Sequence, residues 1–227
     1  MLFSLIHPSR GRPQQAFDTV NKWISKASDT SQIEHILSLD SDDATLSKYI
    51  GLMPSNVRAI ENNTCVVNNT CVVEAANHAA EISKGKILIY LSDDFDCPDK
   101  WDELIFEKVL ASKADKHWLL KVNDGYQPFK AAVLTIPIMS RAAYNELGYF
   151  FNPLYKSMWV DVDLFYECRS RGWIIEAPEL IFEHLHPAAG KAKTDATYQR
   201  SLKNWEQGLK AFMKRKREQQ WVEVRTK

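Results

Sequence analysis

Three short apolar runs alternate with stretches of helical periodicity between Leu2 and Leu91, and this order constrains the fold more than any other feature. Leu2–Ile6, Ile33–Leu39 and Lys86–Leu91 read as buried strands. Between the first two, Pro13 suits a first helical turn, and Ala16, Val20, Trp23 and Ala27 recur at helical spacing. Before the third, Glu74–Lys84 is Ala-rich, and Gly85 follows as a stop signal. Strands and helices in this order predict an α/β chain with a mostly parallel, doubly wound, Rossmann-like sheet.

The same reading continues downstream. It predicts helices over Asp99–Ser112, Ser140–Leu147 and Val160–Arg171, and strands over His117–Val122 and Ala131–Ile138. It places a last strand at Ile181–Leu185 and one long helix over Thr194–Arg217. No Gly-, Ser- or Pro-rich linker interrupts the 227 residues, so one domain is expected.

Bulk properties narrow the partners. The chain is 45% apolar and formally neutral, so nothing global recommends nucleic acid or an anionic membrane. No run approaches the roughly 18 to 20 apolar residues that span a bilayer. The N-terminal residues lack the basic start and cleavage site of a signal peptide, so a soluble, cytoplasmic protein is expected. Cys65, Cys71, Cys97 and Cys168 have no metal-finger spacing and are expected as free thiols. Asn62–Val67 reads NNTCVV and Asn68–Val73 repeats it, a duplication to which no function is given.

Chemistry concentrates at strand ends. Ser92-Asp93-Asp94 follows an apolar strand, at the edge where open α/β sheets bind ligands. Two adjacent carboxylates there repel unless a cation lies between them and the ligand, and a Mg2+ or Mn2+ ion on a diphosphate answers that. Asp40 ends the second strand on the same side, suited to accept from a nucleobase N–H. Pro8, Ser9, Arg10 and Arg12 follow the first strand, with arginines able to pair with phosphate. Asp161 and Asp163 begin a helix, where one carboxylate could act as general base or serve only the helix dipole. His184 and His186, two apart on an expected strand, would point the same way as metal ligands, with His186 nearer the loop. Tyr155, Trp159 and Trp173 offer rings on which an acceptor sugar could stack, or core packing. The basic run Lys214–Arg217 reads as a solvated helix end or as a docking site for an anionic surface or polymeric acceptor.

In order and character these motifs resemble family 2-type glycosyltransferases of the GT-A fold, over roughly residues 2 to 187. Ile6–Arg10 resembles the nucleotide-entry loop, and Asp40 the aspartate that contacts the base. Ala75–Ala80, which holds Asn77, resembles the segment leading into the DxD motif, where Ser92-Asp93-Asp94 stands. Met139–Phe150 resembles the region before the acceptor helix, and Asp161–Trp173 the helix that carries the family's Glu-Asp pair.

The resemblance implies that Asp94 binds Mn2+ or Mg2+ with His186 or His184. It also implies that Asn77, Ser92 and Asp93 belong to the nucleotide-sugar site, with Asp93 on ribose or sugar. Asp161 would be the base of an inverting displacement, with Asp163 its rival. The donor would be a UDP-, dTDP- or GDP-sugar and the acceptor a glycan or other hydroxyl compound. Residues 1–95 would form the donor half, 96–190 the acceptor half and 191–227 a helical tail. Three positions depart from the family pattern: Ser92 replaces the first aspartate, Val160 the glutamate before Asp161, and Ala76 an arginine. The Ser92 and Val160 departures keep a catalytically silent binding module as a competing reading; a nucleotidyltransferase, which also uses a doubly wound sheet and a divalent metal, is the other.

Overall fold

The computed structural model describes residues 2–52, 57–62 and 71–221. Among them, seven strands form one sheet in the order β3-β2-β1-β4-β6-β5-β7. The strands are β1 Phe3–Ser9, β2 Ile33–Asp40, β3 Val57–Asn62, β4 Ile87–Tyr90, β5 Leu119–Asn123, β6 Ile138–Ser140 and β7 Ile174–Ile181. The helices are α1 Pro13–Ser25, α2 Leu46–Leu52, α3 Val72–Ile82, α4 Trp101–Ser112, α5 Arg141–Leu147, α6 Val160–Ser170, α7 Ala196–Leu202 and α8 Trp205–Glu218. β1 pairs in parallel with β2 and β4, and β2 with β3. β6 alone runs antiparallel, to both β4 and β5, so β5 and β7 again point the same way as β1. The carboxyl ends of β1, β2, β4, β5 and β7 therefore meet at one edge.

Period-2 alternation distributes the core to both sheet faces. Phe3, Leu5 and Ile89 pack with Trp23 of α1 and Trp101 and Ile105 of α4. Ile6, Leu88 and Leu119 pack on the other face with Ala76 and Ala79 of α3, Leu164 and Phe165 of α6 and Phe212 of α8. The buried indoles find acceptors: Trp23 Nε1 donates to the Phe95 carbonyl at 3.1 Å and Trp101 Nε1 to the Trp23 carbonyl at 2.8 Å.

The parallel half of the sheet follows the sequence reading, but three expectations about individual elements do not hold. In the predicted strand Ala131–Ile138 only Ile138 is extended in the sheet; residues 131–137 are irregular. Pro137 has no N–H for a ladder and serves only as acceptor, from Tyr90 N at 3.0 Å. Leu134 and Ile136 are apolar because they are buried, not because they are strand. The last strand is Ile174–Ile181, and residues 182–185 run on irregularly across the carboxyl edge. The long C-terminal helix is two helices, α7 and α8, broken at Lys203 and Asn204. Ser157 clasps the break: its Oγ donates to the Ser201 carbonyl at 3.2 Å and receives Asn204 Nδ2 at 3.3 Å.

Cys71, Cys97 and Cys168 are free and buried. Cys65 and most of the NNTCVV duplication lie outside the described residues.

Gly85, between α3 and β4, lies against the backbone of β1. A β-carbon there would come within 2.6 Å of Ser4 N and 2.7 Å of the Phe3 carbonyl carbon, which cannot yield without moving the strand. Gly85→Ala should lower stability by about 1–3 kcal/mol in urea unfolding, as overpacking does.

Candidate active site

At the carboxyl edge, a hydrogen-bonded chain ties β1, α2 and the loop after β4 around one carboxylate. Asp93 Oδ1 receives His7 Nε2 at 2.9 Å, and Asp93 Oδ2 receives Ser9 Oγ at 2.9 Å. The Tyr49 hydroxyl of α2 lies 3.0 Å from Ser9 Oγ and accepts from Arg12 N at 2.9 Å. With Ser9 donating to Asp93, Tyr49 must donate to Ser9. Burial raises the Tyr49 hydroxyl to about 12, so it keeps its proton. Behind His7, His35 Nε2 lies 2.8 Å from His7 Nδ1, and both rings are fully enclosed. Burial first, then the neighbouring His7, holds His35 well below its ordinary value, so it is neutral. With both rings neutral, His35 Nε2–H donates to His7 Nδ1 and His7 Nε2–H to Asp93. His35 Nδ1 is then a buried lone pair, without a partner among the described residues.

This geometry corrects the role expected of Asp93. Both of its oxygens are taken from inside, and its side chain is 4% exposed, so it anchors the loop instead of facing a sugar. Asp40 is closed as well: Arg10 Nη1 donates to its Oδ2 at 2.7 Å and also pairs with Asp42. At this corner the Arg10 guanidinium lies against the Asp40 carboxylate. Pro8 lies within β1, opposite Ser38 of β2. Arg12 makes a two-point pair with Asp195, the N-cap of α7, at 2.6 and 2.7 Å, and its Nη1 stands 3.9 Å from Asp93. Thr197 Oγ1 donates to the Arg10 carbonyl at 3.1 Å, so α7 covers this loop.

Asn77 lies within α3. Its Oδ1 accepts from Phe150 N and Phe151 N at 3.0 and 2.8 Å, and its Nδ2 donates to the Phe151 carbonyl at 2.7 Å. Its amide is spent on the turn before α6, which removes it from the nucleotide-sugar residues.

Asp94 is the carboxylate left open. Its Oδ1 is buried with no hydrogen-bond partner among the described residues, and its Oδ2 lies 3.5 Å from His184 Nε2. Burial by itself would raise its pKa. The contacts with His184 and Ser92 and the charge of Arg12 outweigh that and leave it below its ordinary value. The irregular segment 182–185 brings His184 here: Leu185 N donates to the Asp94 carbonyl at 2.8 Å and His184 N to the Asp124 carbonyl at 2.9 Å. The His184 and His186 rings adjoin, with centroids 4.7 Å apart, although neither is in a strand. His186 stacks on Tyr126 at 4.8 Å, and its Nδ1 accepts from Ala188 N at 3.0 Å. Its Nε2 then carries the proton in the neutral ring, which suits a donor more than a metal ligand.

The two aspartates that open α6 face opposite ways, as residues two apart on a helix must. Asp161 is turned to the edge. Burial raises it to about 6 against the pull of two backbone N–H groups, and it feels both His184 and Asp124. The Tyr90 hydroxyl, raised first by burial, feels Asp94, Asp93 and Asp161 together. Asp163 is turned inward and is 1% exposed. It accepts from Tyr155 OH at 2.8 Å and Arg215 Nε at 2.7 Å. This excludes Asp163 as a rival base, and Tyr155 as an acceptor platform, because each is the other's buried partner. Trp159, half-buried before α6, stacks on Phe212 at 5.5 Å and meets Trp205 edge-on at 5.2 Å. Trp173 precedes β7 and stacks on His117 at 5.1 Å, at the opposite edge of the sheet from Asp94. It cannot touch an acceptor there.

The structure therefore gathers Ser92, Asp94, Asp161, His184 and His186, with Arg10 and Arg12 at the rim. It adds His7, His35, Tyr49, Tyr126 and Asp195, which sequence reasoning did not select. Alternation in β1 and β2 could have put His7 and His35 on one face. No sequence signal joins Tyr49 or Asp195 to the site.

No family model and no curated protein matches the sequence. Solved structures do match in shape. Residues 1–349 of S. aureus TarS superpose with a TM-score of 0.62 at 13% identity, over 92% of this chain and 71% of that one. The mannosyltransferase PcManGT from Pyrobaculum calidifontis, in complex with GDP-Man and Mn2+, gives 0.62 at 12% identity, over 80% of this chain and 56% of its own length. Glucosyl-3-phosphoglycerate synthase from Mycobacterium tuberculosis, with Mg2+ and UDP, gives 0.56 at 14% identity, over 81% and 71%. The protein has the GT-A fold.

The opposite settings of Asp161 and Asp163 separate in stability. Asp161 holds its proton more tightly folded than unfolded. Its charged form therefore costs stability that grows as pH rises from its ordinary 3.8 to about 6 and then stays constant. Asp161→Asn should raise the melting temperature above that window and not below it. Asp163→Asn, which strips a buried partner from Arg215, should cost on the order of 3 kcal/mol. Melting curves across pH check both.

Proposed function

We propose that this protein is a glycosyltransferase that moves a sugar from a nucleotide-diphosphate sugar to an acceptor hydroxyl by a single inverting displacement. The observation that carries the reading is the presence of two unlike carboxyl groups at one sheet edge, both acting on the Tyr90 hydroxyl. Asp94 is held ionised with a buried oxygen left open, and Asp161 is raised to about 6. Environments that push two carboxyl groups apart divide their roles between charge binding and proton transfer. Solved structures of the same fold that hold UDP-GlcNAc, GDP-Man or UDP support a UDP-, dTDP- or GDP-sugar as donor.

Among the described residues no group of three or more His, Cys, Asp or Glu side chains forms a ready metal cage. The chemistry of Asp94 nonetheless fits a hard divalent cation, which commonly takes one or two protein ligands and completes its shell with phosphate oxygens and water. Asp94 and His184 would hold Mn2+ or Mg2+, the ions present with the similar mannosyltransferase and synthase. Such an ion supplies positive charge that stabilises the departing diphosphate. His186 Nε2–H and Arg12 would donate to the phosphates.

Asp161 then takes the proton of the acceptor hydroxyl. As it does so, the hydroxyl oxygen attacks the anomeric carbon and the bond to the diphosphate oxygen breaks; the proton ends on Asp161. Residues 1–95 would form the donor half and 96–190 the acceptor half. The acceptor is a glycan or another hydroxyl compound.

Thermal shift against UDP, GDP and dTDP, each with and without Mn2+, tests the donor site. One nucleotide should stabilise in a metal-dependent way and lose its effect in Asp94→Asn. Asp161→Asn should keep that shift and lower turnover by about 10²- to 10⁴-fold. In the native protein kcat/KM should climb with pH through about 6, as Asp161 loses its proton. Full turnover by Asp161→Asn would remove Asp161 as the base, and no shift with any nucleotide would remove the transferase reading.

A further inference from the structure

The chain is neutral overall, but its charge is unevenly placed. Residues 196–221 carry seven Lys and Arg against two Asp and Glu. Arg215 is turned inward to Asp163 and Glu167, and Lys214 lies 3.8 Å from Glu218. Lys203, Lys210 and Arg217 are exposed, and none makes an ion pair among the described residues.

Beside these cations is apolar surface. α8 buries one side on α6 through Gly208 and Phe212, where a β-carbon on Gly208 would come within 2.3 Å of the Met158 carbonyl oxygen. Its helical period then leaves Trp205, Leu209 and Met213 in a row along one flank, with Lys210, Lys214 and Arg217 on the adjoining flank. Trp205 is 46% exposed and Met213 47%; Leu202, at the end of α7, is 40% exposed and prolongs the row. A row of Trp, Met and Leu beside a row of Lys and Arg suits a helix lying in a lipid–water interface. The apolar side chains enter the headgroup and acyl boundary while the cations meet anionic headgroups. An acidic polymer would use the cations and gain little from the apolar row. No helix of the described residues is long and apolar enough to cross a membrane, so the contact is with a surface.

We propose that α8, with the end of α7, docks this protein on an anionic lipid bilayer. The proposal stands on this surface alone and is independent of the transferase reading.

The test is flotation of the whole protein with vesicles of phosphatidylcholine and with vesicles of equimolar phosphatidylcholine and phosphatidylglycerol. Binding is expected to the anionic vesicles only, and to weaken with salt. Combined Lys203→Gln, Lys210→Gln and Arg217→Gln should reduce partitioning on the order of a hundredfold, since each basic residue near the surface contributes about fivefold. Trp205→Ser with Met213→Ser should also release the protein, and a melting curve for each variant shows that it is folded. Equal binding to both vesicle types, or undiminished binding by the folded variants, overturns the proposal. So does an absence of vesicle binding, and retention on poly-aspartate in that case would assign the surface to an acidic polymer.

Discussion

The carboxylate of Asp93 is the joint on which the rest of the site depends. It sits just after β4, yet it is gripped by His7 and Ser9 from β1, and through Ser9 by Tyr49 of α2. A buried carboxylate is costly unless its charge is met by donors, and here both oxygens are met. β1 lies inside the sheet, between β2 and β4, and these bonds tie the loop after β4 to it. Asp94, next in sequence, keeps a buried oxygen that has no hydrogen-bond partner among the described residues. One aspartate provides the anchor and the next stays available.

The helix α6 repeats this division. Asp163 and Glu167 take Arg215 in an interior ion cluster that fastens α8 to α6. Asp161, on the opposite side, makes no such ion pair among the described residues, and burial outweighs its backbone hydrogen bonds to raise its proton affinity. The inner cluster ties α8 to the first turns of α6, while Asp161 lies on the side toward His184. Packing of α8 on Met158 and Trp159 adds to the same support. The C-terminal helices are thus structural on one side, while the other carries the apolar and basic rows. α7 closes the loop after β1 through Asp195, which pairs with Arg12, and Thr197, which donates to the Arg10 carbonyl.

Much of this was legible in the sequence. The apolar runs of β1, β2 and β4, the stop at Gly85, and the position of Ser92–Asp94 follow from patterns that act over a few residues. Asp161, His184 and the two arginines were visible for the same reason: polar groups at element ends stand out against an apolar background. The same rule overreached where a residue's type suited two environments. Asn77, Tyr155, Asp163 and Trp173 have the chemistry of site residues but are engaged within the protein or placed on the far edge. Apolar character also misled at residues 131–137, where burial without a ladder looks like a strand.

The sequence by itself determined the alternation of strands and helices, the parallel half of the sheet and the edge at which charged residues collect, because these depend on periodicity and local backbone preference. Only the tertiary structure decided which carboxylate is anchored and which is open, and which aspartate of α6 faces the cleft. It also decided that His184 stands nearer Asp94 than His186 does. Those outcomes depend on partners from distant parts of the chain, such as His7 with Asp93 or Arg215 with Asp163. A side chain's protonation and availability follow from what surrounds it in space, and no local pattern carries that information.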